Sequence, residues 1–216
     1  MLAKEGYPTI GVVIAFSVIV GWLLSGVDHW VSYLIYGVLA ALCLLVIYFF
    51  RDPERRSPAD PNLILSPADG RVVLVRPAVE ESYLDGEVTQ VSIFLSPLDV
   101  HVNRVPLSGK LEYVEYFPGD YLMAWEDQAS EQNERAHFGV RHPSGVKILF
   151  KQITGFLARR IVYHIAEGDE LVAGERFGIM KFGSRMDLLL PPGVELQVKE
   201  GDRTVAGETV LATLQP

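Results

Sequence analysis

Three short segments of this chain concentrate side chains able to move protons or form covalent bonds. The first is Leu65-Ser66-Pro67-Ala68-Asp69-Gly70. The second runs from Phe94 to Pro106 and contains Ser96-Pro97-Leu98-Asp99-Val100-His101, followed by Val102-Asn103-Arg104. The third is Met180-Lys181-Phe182-Gly183-Ser184-Arg185-Met186-Asp187. Together they offer an acid, an imidazole and a hydroxyl, the parts of an orienter, base and nucleophile set. An unperturbed serine is a weak nucleophile and needs a base, and imidazole titrates near neutral pH. Each segment also has an ordinary structural reading. Asp69-Gly70 is a common turn dipeptide. Asp99 can cap a helical turn by accepting a backbone N–H. His101 can be a half-buried imidazole with satisfied hydrogen bonds, and Gly183-Ser184 is a frequent loop pair. No G-x-S-x-G elbow is present, so an ordinary α/β-hydrolase is not supported. The single cysteine, Cys43, makes neither an intrachain disulfide nor a zinc cluster, and no metal site is expected.

The elements that must position these groups read as β-rich. Pro53, Pro58, Pro61 and Pro67 interrupt any helix after residue 50. Strand-like runs follow at Arg71–Arg76, Glu87–Leu95, Gly109–Tyr116, Ala136–Arg141, Val146–Ile153 and Val194–Val198, separated by Gly and Pro, with a helical turn expected around Pro97–Val100. This spacing suits a compact β sandwich or barrel. One internal repeat is visible: Glu167-Gly168-Asp169 before Ala173-Gly174-Glu175, and 33 residues later Glu200-Gly201-Asp202 before Ala206-Gly207-Glu208. The pattern G-D-x-x-x-A-G-E describes a tight turn, a short strand and a second turn whose glycine can take φ > 0. Biotinyl and lipoyl carrier domains use this kind of turn in quasi-symmetric barrels; two unrelated hairpins sharing turn chemistry would look the same.

Residues 1–50 differ in kind. Their only ionisable side chains, tyrosines and Cys43 aside, are Lys4, Glu5, Asp28 and His29, and two apolar runs, Thr9 to Val27 and Trp30 to Phe50, each approach the ~20 residues that cross a bilayer core. Their link is short, so a helical hairpin is expected, with Trp22, Trp30, Tyr33, Tyr36 and Tyr48 at interface depth. A signal peptide is the alternative, but Trp22-Leu23-Leu24-Ser25 is a poor cleavage site and a second apolar run follows at once. Arg51, Arg55 and Arg56 after the second run, and Lys4 before the first, place both ends in the cytoplasm. The expected organisation is a membrane anchor, 1–50, and a catalytic domain, 51–216. Of the 216 residues' net charge of −8, about −7 falls in residues 51–216, with 18 basic groups against 25 acidic. No basic run interleaves with aromatics, so nucleic acid is not an expected partner. A mean hydropathy of +0.22 excludes a disordered chain.

The order of these motifs resembles the phosphatidylserine decarboxylases, in their short bacterial and archaeal form. The resemblance rests on the apolar hairpin, Phe50-Arg51-Asp52-Pro53-Glu54-Arg55, Ser-Pro-Ala-Asp-Gly, Ser-Pro-x-Asp-Val-His, Asn133-Glu134-Arg135 and Phe182-Gly183-Ser184. It implies a proenzyme of the inner cell membrane that cuts itself between Gly183 and Ser184. Ser184 would become a pyruvoyl cofactor, leaving a large chain 1–183 and a small chain 184–216 as a heterodimer. That group forms a Schiff base with the amine of phosphatidylserine, and carbon dioxide leaves to give phosphatidylethanolamine. The resemblance further implies His101 as base and acid, with Asp69 orienting it. A homo-oligomer is compatible with all of this.

Two departures stand out. Longer members carry a second His three residues after the first; here that position is Arg104, so His101 does both jobs or His137 or His164 takes one. The cut motif is Phe-Gly-Ser-Arg rather than Leu-Gly-Ser-Thr or Gly-Gly-Ser-Thr. Arg159 and Arg160 are candidates for the lipid phosphate or carboxylate, because a guanidinium fork matches either, or else solvated surface. Phe117, Tyr121, Leu122, Met123 and Trp125 read as a lipid-facing lip or a loop packed on the core. Two rival functions remain: a biotinyl or lipoyl carrier modified on Lys181, from the Met-Lys-Phe context, and a non-enzymatic membrane anchor or assembly factor.

Overall fold

A run without charge satisfies its backbone polar groups most simply as a helix. α1 (Tyr7–Leu23) and α2 (Trp30–Phe49) contain no charged residue, and the helical spans Lys4–Leu23 and Trp30–Phe49 are long and apolar enough to cross a membrane. Their outward surfaces carry Val12, Phe16, Val18, Ile19, Leu34, Val38 and Leu44, all exposed, as expected of a lipid-facing, membrane-associated hairpin. Several of its polar groups are paired. Ser17 Oγ lies 3.3 Å from Cys43 Sγ, Tyr36 donates to the Gly21 carbonyl, and His29 Nδ1 caps α2 by accepting the Val31 N–H. The computed structural model describes residues 1–120, 122–123, 129–155, 161–181 and 183–215, and it divides into two units, Met1–Glu54 and Arg55–Pro216. The first extends past Phe50 because residues 50–52 return to the amino terminus: the Ala3 N–H donates to the Phe50 carbonyl and the Asp52 N–H to that of Met1.

The regular elements described in the second unit are strands but for one: β1 (Leu63–Leu65), β2 (Gly70–Glu80), β3 (Gly86–Leu95), β4 (Val102–Arg104), β5 (Gly109–Phe117), the short α3 (Ala129–Gln132), β6 (Arg135–Arg141), β7 (Lys147–Ile153), β8 (Ile161–Tyr163), β9 (Glu170–Leu171), β10 (Arg176–Met180), β11 (Ser184–Leu190), β12 (Val194–Leu196), β13 (Arg203–Thr204) and β14 (Val210–Leu214). Eight form one curled antiparallel sheet in the order β13-β2-β3-β11-β7-β6-β5-β9. Two three-stranded sheets, β1-β14-β12 and β4-β10-β8, complete the fold. The inner face carries the core, including Ile93, Leu95, Phe138, Phe150, Met186 and Leu188. Each of the six strands expected from sequence is present; the turn at 97–100 is a single bend closed by Asp99 N–H to the Ser96 carbonyl rather than a helical turn.

The repeat is real architecture. Its first copy adds β9 to β5 at one end of the eight-stranded sheet, and its second adds β13 to β2 at the other. Gly168 N–H donates to the Leu111 carbonyl and Gly201 N–H to that of Val72, both at 2.8 Å. The carboxylates match too: Glu167 accepts the Val114 N–H and Glu200 the Val75 N–H, both at 3.0 Å. The second turn glycines, Gly174 (φ +86°) and Gly207 (φ +73°), face each other, and a Cβ on Gly207 would lie 3.4 Å from the Gly174 Cα. A further quasi-equivalence was not legible in sequence. Ser66-Pro67-Ala68-Asp69-Gly70 corresponds to Val105-Pro106-Leu107-Ser108-Gly109, because Leu65 N–H donates to the Pro106 carbonyl and Arg104 N–H to that of Pro67.

Candidate active site

β11 is the central strand of the large sheet, paired along its length with β3 and over five residues with β7. Ser184 is its first residue, opposite Leu95, and shares the inner face with Met186 and Leu188. Its Oγ is buried and makes no hydrogen bond. Gly183, immediately before, has φ +71°, a conformation that glycine adopts without strain. Its N–H donates to His101 Nε2 at 3.3 Å. His101 is fully buried, and its Nδ1 lies 3.0 Å from the Asp99 carbonyl oxygen. A carbonyl only accepts, so Nδ1 carries the hydrogen and the lone pair of Nε2 receives the Gly183 N–H, one peptide before the Gly183–Ser184 bond. The fold thus brings His101, Gly183 and Ser184 together from segments some 80 residues apart in sequence, with a neutral imidazole in the tautomer of a base.

The described contacts of Asp69 are different. Its Oδ2 takes an ion pair from Arg55 at 2.7 Å, and its Oδ1 accepts the Ala206 N–H at 2.8 Å. Ser108, its quasi-equivalent, accepts the Ala173 N–H in the same way. Burial pushes the Asp69 carboxyl above its ordinary range against the lowering effect of Ala206 and Arg55, and the charge of Asp99 pushes the same way as burial. The orienting contact at His101 Nδ1 is the main chain of Asp99. The Asp99 carboxylate closes its own turn through the Ser96 N–H and meets Arg203 at 3.1 Å.

Arg104 is buried and donates to the Gly174 carbonyl at 2.7 Å. His164 is exposed. His137 pairs with Lys151, which pairs with Asp187, so it lies on the sheet face opposite Ser184. There it is buried beside Phe117, neither ring nitrogen makes a hydrogen bond, and burial lowers its pKa to about 3. An imidazole neutral when folded but protonated at about pH 6.5 when unfolded leaves the unfolded chain binding more protons between those values. Stability should therefore fall steadily as pH drops from about 6.5 towards 3. In detergent, the urea midpoint of His137→Leu should change less than wild type between pH 7 and pH 4.

Phe117 packs on His137 and under the Arg135 guanidinium rather than forming a free lip. Leu122 is clasped by Asn133, which bonds both its N–H and its carbonyl and also donates to the Thr154 carbonyl. Tyr121, Trp125, Phe182, Arg159 and Arg160 lie outside the described residues. Sequence reading gave no role to three groups beside Ser184. Arg185 and Asp187 form a buried pair on the outer face, with Nε and Oδ1 2.9 Å apart and Nη2 donating to Oδ2 at 3.2 Å. Gln90 and Ser130 donate to the same carboxylate at 2.9 and 2.8 Å. Asn103 and Gln152 form a buried amide pair inside the barrel.

The family model for phosphatidylserine decarboxylase matches residues 42–212. The chain belongs to the phosphatidylserine decarboxylase family. It is 55% identical over 199 residues to the phosphatidylserine decarboxylase proenzyme of Salinibacter ruber, covering 89% of this chain and 88% of that one. It is 45% identical over 214 residues to the proenzyme of Symbiobacterium thermophilum and 42% over 213 to that of Geobacter metallireducens, each covering 99% of this chain and 96% of the relative. Membership makes the chain a carboxy-lyase of phospholipid biosynthesis by kind, and the carrier reading is not favoured. Lys181 follows β10, and β10 and β11 lie in different sheets, so Lys181 is not the tip of a two-stranded hairpin.

Proposed function

We propose that this protein cuts itself at Gly183–Ser184 and then decarboxylates phosphatidylserine through a pyruvoyl group made from Ser184. The observation that carries the reading is the contact of Gly183 N–H with the unprotonated Nε2 of a buried His101, next in the chain to a buried Ser184 hydroxyl that has no hydrogen-bond partner among the described residues. His101 Nε2 takes the hydroxyl proton as Ser184 Oγ adds to the Gly183 carbonyl, and the amide becomes an ester. Loss of the Ser184 α-proton then breaks the Cβ–Oγ bond and releases the Gly183 carboxylate. Water removes the nitrogen of residue 184 as ammonia, leaving a ketone at the head of β11.

The surroundings fit such a group: a small buried position on the inner face, a glycine before it in a left-handed turn, and an imidazole that can hold a proton beside it. When formed, it condenses with the lipid amine and accepts the electron pair released with carbon dioxide. His101 holds the proton that returns to the substrate carbon. With Arg104 fixed to Gly174 and His137 on the other face, His101 serves both reactions. Asp69 acts at second hand, seating Arg55 and the Ala206 turn beside the loop that carries Asp99 and His101.

The cut leaves residues 184–216 as a small chain. It stays as part of a heterodimer because β11 is sandwiched between β3 and β7, β13 pairs with β2 and β14 with β1. The hairpin tethers the catalytic unit to a membrane, and Lys4 with Arg51 and Arg55 favours the cytoplasmic side. Intact mass under denaturing conditions tests the reading. Two chains are expected, the smaller starting with a pyruvoyl group at position 184; one chain with lipoate or biotin mass on Lys181 overturns it.

A further inference from the structure

The inner face of the barrel is apolar except at one end. There the side chains of Ser184, Asn103 and Gln152 are fully buried, and Ser184 Oγ, Asn103 Nδ2 and Gln152 Oε1 make no hydrogen bond. The two amides are joined, Gln152 Nε2 donating to Asn103 Oδ1 at 2.8 Å. In this orientation one NH₂ donor is left on Asn103 and one carbonyl acceptor on Gln152.

Their places follow from register. Arg185 pairs with Ile153 and Met186 with Gln152, so Gln152 is diagonal to Ser184 on the same face, within reach of a long side chain. Asn103 lies two residues beyond His101 on the run into β4, which puts it on the same side as the imidazole that meets Gly183. Buried donors and acceptors are nearly always paired, because leaving one unpaired forfeits its hydration. An apolar pair would fill this corner at less cost, so a leftover donor and acceptor beside the reacting residue point to a polar partner that arrives from outside.

We propose that Asn103 and Gln152 read the headgroup of the substrate. Asn103 Nδ2 donates to the α-carboxylate of an amino-acid headgroup, and Gln152 Oε1 accepts from its amine N–H. This rests on the decarboxylase reading above. A neutral amide suits a carboxylate that is about to lose its charge. A guanidinium would bind it more tightly, but would stabilise the ground state that decarboxylation must leave. Holding the carboxylate also fixes the direction of the bond that breaks.

The test uses the full-length protein and two lipids sharing an amine, phosphatidylserine and phosphatidylethanolamine, which lacks the carboxylate. Cyanoborohydride fixes bound lipid amine to the small chain, and intact mass reads the amount. Asn103→Asp keeps the shape but swaps a donor for a charged acceptor. It is expected to mature normally, lose phosphatidylserine fixation and kcat/KM on the order of 10²-fold, and fix phosphatidylethanolamine within about threefold of wild type. Asn103→Ala should show the same selectivity change, and Gln152→Leu should weaken both lipids. Equal effects of the Asn103 variants on the two lipids, unchanged phosphatidylserine fixation, or variants that stay uncut while wild type is cut would each overturn the assignment. A wild-type chain that itself stays whole overturns the decarboxylase reading instead.

Discussion

Ser184→Ala should remain a single chain of 24.0 kDa and release no carbon dioxide from phosphatidylserine. Removing the hydroxyl removes both the nucleophile that opens the Gly183 peptide and the oxygen whose departure creates the ketone. The substitution should not disturb folding. Ser184 Oγ makes no hydrogen bond, and the backbone of residue 184 stays paired with Leu95 at the head of β11. An alanine methyl in that buried position costs no partner and leaves no cavity of note. The loss is therefore expected to be complete in both reactions while the thermal midpoint of the uncut chain stays near that of an uncut wild-type sample. Carbon dioxide release by a whole Ser184→Ala chain would mean that another group carries the electrons, and the proposed cofactor would have to be abandoned.

His101→Gln should slow cleavage by about 10² to 10⁴-fold, the usual contribution of a positioned general base. Glutamine retains a polar group near Gly183 but has no titratable nitrogen. The uncut form should accumulate, and hydroxylamine should not cut it, because the slowed step precedes the ester. The minor fraction that does mature should turn over more slowly than wild type at equal small-chain concentration, since the same imidazole returns the proton to the substrate carbon. Time courses of chain mass and carbon dioxide release on the same sample check both halves. Normal maturation with slow turnover would assign cleavage to a different base and leave His101 only the second reaction.

Much of this protein could be read from its residues alone. The charge-free runs before Phe50 determine two membrane-length helices whatever they pack against, because an unbroken apolar helix has no stable place in water. The turn repeat determined two matching corners, because glycine at φ > 0 and an acidic side chain returning to a backbone N–H are local devices. The family was legible because its motifs are contiguous. β11 was not. Arg185 and Asp187 alternate with Ser184, Met186 and Leu188, and charges at those positions read as a loop or an exposed edge. Only the fold pairs them with each other and covers them, making this the central strand.

The same limit applies to the site. Sequence reading makes Asp69 the orienting partner of His101 and leaves Asp99 to cap a turn. Which one orients the ring depends on a main-chain carbonyl two residues away and on Arg55 reaching Asp69 from the linker. Residue type carries no signal for a backbone acceptor. Nor does it distinguish Asn103 and Gln152 from other buried amides, since their meaning lies in a register that brings β7 beside β11 and in one hydrogen bond between strands distant in sequence. Local chemistry was written in the chain. The choice among its partners was made by long-range pairing, because only closure of the barrel decides which polar groups lose water together.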